Sequence, residues 1–150
     1  MIKKIYSLAL DFIQVSSILA VLLTGPLVAE NAILLLAQVL AMIVIILAAW
    51  EMRRTRYYRV PDIGKQNELV TTGIYKYIRN PMYLAELLFT GVLLLNFSSN
   101  FRVGIFVVLI IDLLLKIQYE EKLLGSFFKE FEKYKKTSWR LIPYLYWGIK

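Results

Sequence analysis

Four apolar runs divided by polar stretches set out the chain. The first extends from about Phe12 to Ala29 behind Lys3 and Lys4, and the second from Ala32 to Trp50. The third and fourth are shorter, Met82 to Phe97 and Val103 to Ile117. Ala32 to Trp50 is 19 residues without a charge. At about 1.5 Å per residue, a helix of that length crosses roughly 28 Å, close to the thickness of a bilayer core. The few residues between the first two runs predict an antiparallel hairpin, with Gly25-Pro26 as a turn rather than a signal-peptide cleavage site. Ser98-Ser99-Asn100 forms the turn between the third and fourth runs. From Gln118 to Lys136, Tyr119, Leu123, Leu124, Phe127, Phe128, Phe131 and Tyr134 recur at helical spacing, with lysines and glutamates between them. That pattern predicts an amphipathic helix lying on a membrane or against a bundle. Trp139, Tyr144, Tyr146 and Trp147 suit an interfacial aromatic belt.

The fold class expected is all-α, an integral membrane bundle of four transmembrane helices plus a C-terminal amphipathic helix. One domain covers residues 1–150, with a hairpin over 7–50 and a core over 67–143. Composition agrees: 59% of the 150 residues are hydrophobic and mean hydropathy is +0.59. Cysteine and histidine are both absent, which excludes disulfides, thiolate chemistry and His-ligated metals, and no metal site is expected. The net charge of +7 invites a nucleic-acid reading, but its distribution gives a simpler cause. With four spans, 17 of the 18 Lys and Arg residues fall on one side and only Arg102 on the other. The positive-inside rule then puts both termini in the cytoplasm, and no nucleic-acid partner is expected.

The stretch from Asn67 to Tyr83 is basic and aromatic, and it ends in R-N-P-x-Y at the mouth of the third run. Read alone, Asn80-Pro81 is a helix start and Gly73 a turn residue. Glu120-Glu121 follows the fourth run and could be a solvated face, with Lys116 one turn back as an ordinary ion-pair partner of Glu120. Asp11, Glu86 and Asp112 lie just inside the apolar spans at one shared depth. Near the edge such acids reach water cheaply; the alternative is a polar basin, open to the cytoplasm, that holds a cationic ligand.

Together these elements carry a resemblance. L-V-T-T-G-I-Y-K-Y-I-R-N-P-M-Y, a helical hairpin, K-I-Q-Y-E-E and a helix ending F-E-K-Y-K-K…I-P resemble the isoprenylcysteine carboxyl methyltransferase family. Phospholipid methyltransferases of the same membrane-embedded type are similar. The resemblance covers about Asn67 to Pro143. It implies S-adenosylmethionine as methyl donor, in a pocket facing the cytoplasm. The implied cofactor contacts are Asn67, Glu68, Leu69, Val70, Tyr75, Asn80, Pro81, Met82, Tyr83, Glu120 and Glu121. Lys116 falls where the family places an arginine near the reacting carboxylate, and Lys116 with Arg79 are the expected substrate contacts. No residue is assigned a catalytic role in the chemistry itself. Asn80 replaces a common His and Ala85 a common Gly. Lys116 lacks the bidentate fork of the usual arginine.

The reaction expected is methyl transfer to a lipophilic or lipidated acceptor among membrane lipids, with a carboxylate acceptor favoured because it needs no general base at neutral pH. A lipid amine must first lose a proton. Two other classes remain open: an NADPH-dependent enzyme like the sterol reductases, and a membrane protein without catalysis. Oligomeric state has no signal in the sequence.

Overall fold

A computed structural model describes residues 2–54 and 69–143 of the chain. Within them lie five α-helices: α1 (Ile2–Leu23), α2 (Ala32–Arg54), α3 (Pro81–Asn96), α4 (Asn100–Phe127) and α5 (Phe131–Thr137). A single 3-10 turn, Gly73–Lys76, precedes α3. The all-α class is as expected, and no strand occurs among the described residues.

The helix ends follow local chemistry. α1 stops at Leu23, short of the expected Ala29, because Pro26 offers no N–H and steers the residue before it out of the helical region. Asn31 starts α2, its Oδ1 accepting from the Ile33 amide at 2.9 Å. Ser99 caps α4 by accepting from the Arg102 amide at 3.3 Å. Pro81 opens α3, where a missing N–H costs nothing.

The tail departs from expectation. Gln118 to Lys136 is not one separate amphipathic helix. Its first half continues α4 without a break to Phe127, and only the seven-residue α5 stands apart. Gln, Glu, Lys and Leu between positions 118 and 124 are good helix formers. The helix therefore runs past the end of the apolar stretch at Ile117.

Two helical segments, Ile5–Leu23 and Ala32–Arg53, are long and apolar enough to cross a membrane, and α3 is a shorter apolar helix. The first two helices are not each other's main partners. α1 packs chiefly along α4 and α2 along α3, while α3 and α4 meet in the middle. Ser7, Leu10, Ser17 and Val21 make a buried stripe on α1 at helical spacing, facing a helix whose Leu109, Leu113 and Ile117 are fully buried. On α2 the buried positions include the small Ala41 and Ala48, which let the α3 backbone approach closely. Many large apolar side chains of α1 and α2 point outward: Phe12, Leu23, Ile33 and Leu36 are all exposed. On α2 this arrangement, small residues inside and large apolar ones outside, is the pattern of a helix with one face turned to lipid.

At one end of the bundle Arg102 ties helix termini together. Its guanidinium donates to the carbonyl of Phe97, after α3, and to that of Val21 in the last turn of α1, the latter at 3.1 Å. Gly25 is needed there, since a Cβ would come within 2.7 Å of Arg102 Nη1 and 2.9 Å of the Phe97 ring. The opposite end holds the conspicuous polar chemistry.

Candidate functional site

Two polar assemblies share that opposite end. The first joins the loop before α3 to the segment after α4. Arg79, buried on the loop, donates from Nε to Glu121 Oε1 at 2.9 Å and from Nη1 to the carbonyls of Lys135 at 3.0 Å and Ser138 at 2.5 Å. Arg140 meets the other Glu121 oxygen at 2.9 Å. Backbone pairing runs alongside: Arg79 N to Trp139 O at 2.8 Å and Trp139 N to Tyr77 O at 2.7 Å, a short parallel bridge. Asn80 Nδ2 donates to the Arg140 carbonyl at 2.8 Å, and Tyr134 Oη donates to the Tyr75 carbonyl at 2.6 Å. Burial pushes the Tyr134 phenol far above its usual range, so it stays a donor.

The second assembly lies between the helices. Tyr83, on the first turn of α3, donates its hydroxyl to Glu120 Oε1 at 2.7 Å. One turn back on α4, the Lys116 ammonium stands 5.7 Å from the centroid of the Tyr83 ring. It donates to Asp11 Oδ1 at 2.5 Å and to the Gln14 side-chain carbonyl. Gln14 Nε2 in turn donates to Glu86 Oε2 at 2.7 Å. Helices α1, α3 and α4 are thus stitched by Lys116–Gln14–Glu86.

Acids outnumber bases here. Asp11, Glu86, Asp112 and Glu120 lie around Lys116, the one lysine of the cluster among the described residues. Asp112 is 3% exposed, and neither of its carboxylate oxygens has a hydrogen-bond partner among the described residues; Glu86 Oε1 also lacks one. The cheap-hydration reading of these acids therefore fails for Asp112. A buried carboxylate without a partner is costly, and either a proton or a cation relieves it. Glu120 lies beyond Ile117, and burial pushes its carboxyl above the usual glutamate range. The Tyr83 hydrogen bond and Lys116 oppose that rise, and Asp11 and Glu121 add to it.

The residues singled out in the sequence therefore separate. Tyr83, Glu120 and Lys116 come together in the helix cluster. Arg79, Asn80 and Glu121 hold the tail against the loop, and Asn80 makes no capping bond with its side chain. The ordinary Lys116–Glu120 pair expected from their spacing does not form, since Asp11 and Tyr83 claim the two groups. Tyr75 and Pro81 are buried, while Leu69, Val70 and Met82 are half-buried. Asn67 and Glu68 lie outside the described residues. Trp139 lies in the bridge with Ile78, whereas Tyr144, Tyr146 and Trp147 lie outside the described residues.

Three participants were not singled out beforehand: Gln14, Ser138 and Arg140. Gln14 carried a signal, for it continues the α1 stripe of Ser7, Leu10, Ser17 and Val21 as a polar residue at a packed position. Arg140 and Ser138 carried none, because only the bridge brings them back to the loop.

Comparison with curated proteins and with solved structures gives no match. The family description of phospholipid methyltransferases matches residues 31–130, two thirds of the chain, from just before α2 to just before α5. That stretch contains the loop with Arg79, Asn80 and Tyr83 and the α4 residues Lys116, Glu120 and Glu121. The matching family is a related one, and not the isoprenylcysteine carboxyl methyltransferases that the motif resembles. With its motif, its membrane-type helices and this match, the chain belongs to the phospholipid methyltransferase family.

Proposed function

We propose that this membrane protein transfers a methyl group from S-adenosylmethionine to the amine of a lipophilic acceptor, at the end of the bundle marked by Lys116. The reading rests first on family membership, with S-adenosylmethionine the usual donor of such enzymes. The observation that carries it furthest is the excess of buried carboxylate around Lys116, with Asp112 and one Glu86 oxygen unpartnered among the described residues.

The donor supplies an electrophilic methyl group on a positively charged sulfonium. The residues fit such a group: Glu120 offers a half-buried carboxylate held by Tyr83, and the Tyr83 ring presents a face that suits cations. Tyr75, Asn80 to Met82 and the half-buried Leu69 and Val70 would line the same side; Asn67 and Glu68, outside the described residues, stay contacts that the resemblance alone implies. Arg79 and Glu121 serve by holding the tail segment in position. A turn or two deeper, at about 1.5 Å per residue along α4, the Asp112 and Glu86 carboxylates would receive the acceptor.

An ammonium must lose a proton before its nitrogen can attack a methyl group. An unpartnered carboxylate oxygen can accept it, while alignment and water exclusion do the rest. The carboxylate acceptor expected from sequence needs no general base, and Lys116 is the group that would meet it. That ammonium is already neutralised by Asp11 at 2.5 Å, which favours the amine.

The membrane arrangement proposed keeps four traversals, α1, α2, α3 and the apolar part of α4, with both termini and the site on the cytoplasmic side. The test is transfer of labelled methyl from S-adenosylmethionine into lipid extracts by purified protein. Label in an amine headgroup supports the reading. Label confined to carboxyl esters returns the acceptor to the carboxylate class, and no label from any extract removes the proposed activity.

A further inference from the structure

The stretch that matches the family begins at residue 31, so all of α1 lies outside it. Yet α1 supplies two of the groups that set the charge of the cluster. Asp11 pairs with Lys116 at 2.5 Å. Gln14 accepts from the same ammonium and donates to Glu86 at 2.7 Å. These bonds join residues more than 100 positions apart for Lys116, and they decide what remains uncompensated. With Lys116 taken by Asp11, both side-chain oxygens of the buried Asp112 stay without a hydrogen-bond partner among the described residues, although Lys116 is one turn away on its own helix. With Glu86 Oε2 turned to Gln14, its other oxygen is left unsatisfied.

We infer that α1, through Asp11 and Gln14, is the element that selects the acceptor by charge, tuning the site for a cationic headgroup and against an anionic one. The inference rests on the amine reading above and names residues that determine it. Without Asp11, Lys116 would pair with Asp112 or offer its charge to an anionic headgroup. The same α4 residues would then present a site of opposite preference. Asp11 and Gln14 are thus positioning residues that act through Lys116 and Glu86. Asp11 is the more open of the pair, with its side chain 36% exposed against 11% for Lys116, so removing its charge leaves little buried void.

The test is binding, separate from catalysis. Purified full-length protein in detergent is titrated with octylamine and with octanoate below their micelle-forming concentrations, alongside S-adenosylmethionine. The natural protein should prefer octylamine by about tenfold or more, the scale set by one hydrogen bond to a charged group. Asp11→Asn should move the ratio towards octanoate by a similar factor while donor affinity stays unchanged, and Asp11→Glu should restore the original preference. Asp112→Asn, a second variant on a different helix, should weaken octylamine without strengthening octanoate. An unchanged ratio in folded Asp11→Asn overturns the inference, as does loss of donor binding in that variant. If the ratio shifts as expected but no methyl is transferred to any lipid, the charge selection stands and the methyl-transfer reading falls.

Discussion

Lys116 and Glu120 stand one turn apart on α4 and turn to different partners, Lys116 to Asp11 and Glu120 to the hydroxyl of Tyr83. An isolated helix would pair them for a few tenths of a kcal/mol. Here each is claimed by another helix, and the groups that sequence alone would discharge against each other become separate features of one site. The donor side is built on Glu120 and Tyr83, and the acceptor side on Lys116 and the acids around it.

The Tyr83–Glu120 bond gives the first expectation. Tyr83→Phe keeps the ring and removes the hydroxyl, so donor affinity should fall by a few-fold to about tenfold, in line with a net hydrogen bond of about 0.5–1.5 kcal/mol. Glu130→Ala, on an exposed residue, should leave the affinity unchanged. Calorimetric titration of S-adenosylmethionine into the two variants checks this, and equal affinities would return Glu120 to a solvated role.

Donor binding should also depend on pH through Glu120. Burial raises its carboxyl above the usual range, so the anion that meets a cationic donor is lost sooner as pH falls. Donor affinity should decline on acidification from a pH above the ordinary glutamate value of about 4.3. The stability effect has the opposite sign: protonation favours the fold, so this contribution is complete below the ordinary value and gone above the raised one. Glu120→Gln should flatten both dependences, read as dissociation constant and melting temperature against pH.

The Arg79 bolt is expected to act on structure before chemistry. Arg79→Met leaves Glu121 with Arg140 alone and frees the carbonyls of Lys135 and Ser138. Breaking a buried, hydrogen-bonded ion pair costs on the order of 3 kcal/mol. Arg79→Met and Glu121→Gln should each lower the melting temperature, and the double variant should lose less than both together. Additive losses would mean that the two side chains do not act as one unit.

Gly25→Ala offers a control at the far end. A methyl there would meet Arg102 Nη1 at 2.7 Å and the Phe97 ring at 2.9 Å, for a loss of about 1–3 kcal/mol by overpacking. Melting temperature should drop while donor affinity in the folded fraction stays the same.

Much of the fold could be read from the sequence because apolar runs, Pro26, Ser99 and Pro81 are local signals. The helices α2, α3 and α4 begin within three residues of the runs that announced them. What could not be read was which helix packs on which. The short link after α1 suggested a hairpin with α2, but burial is decided by stripes, and the Ser7-to-Val21 stripe fits α4. The end of α4 was also hidden, since hydropathy falls at Gln118 while helix propensity does not. For the site, the motif brought Tyr83, Lys116 and Glu120 to attention. It could not say that Arg79 and Glu121 would bolt the tail, because Arg140 and Ser138 return through long-range backbone pairing. Asp11, Glu86 and Asp112 stood out as acids in apolar runs, and only the packing of α1 and α3 on α4 brought them around Lys116.

Donor binding at the Glu120 end is the most direct measurement of the proposed chemistry. Purified protein in detergent should bind S-adenosylmethionine at one site, bind it at least about tenfold more weakly in Glu120→Ala, and show no heat with NADPH. Binding of NADPH with none of S-adenosylmethionine, or donor affinity indifferent to Glu120, would contradict a methyl donor seated on Glu120 and Tyr83.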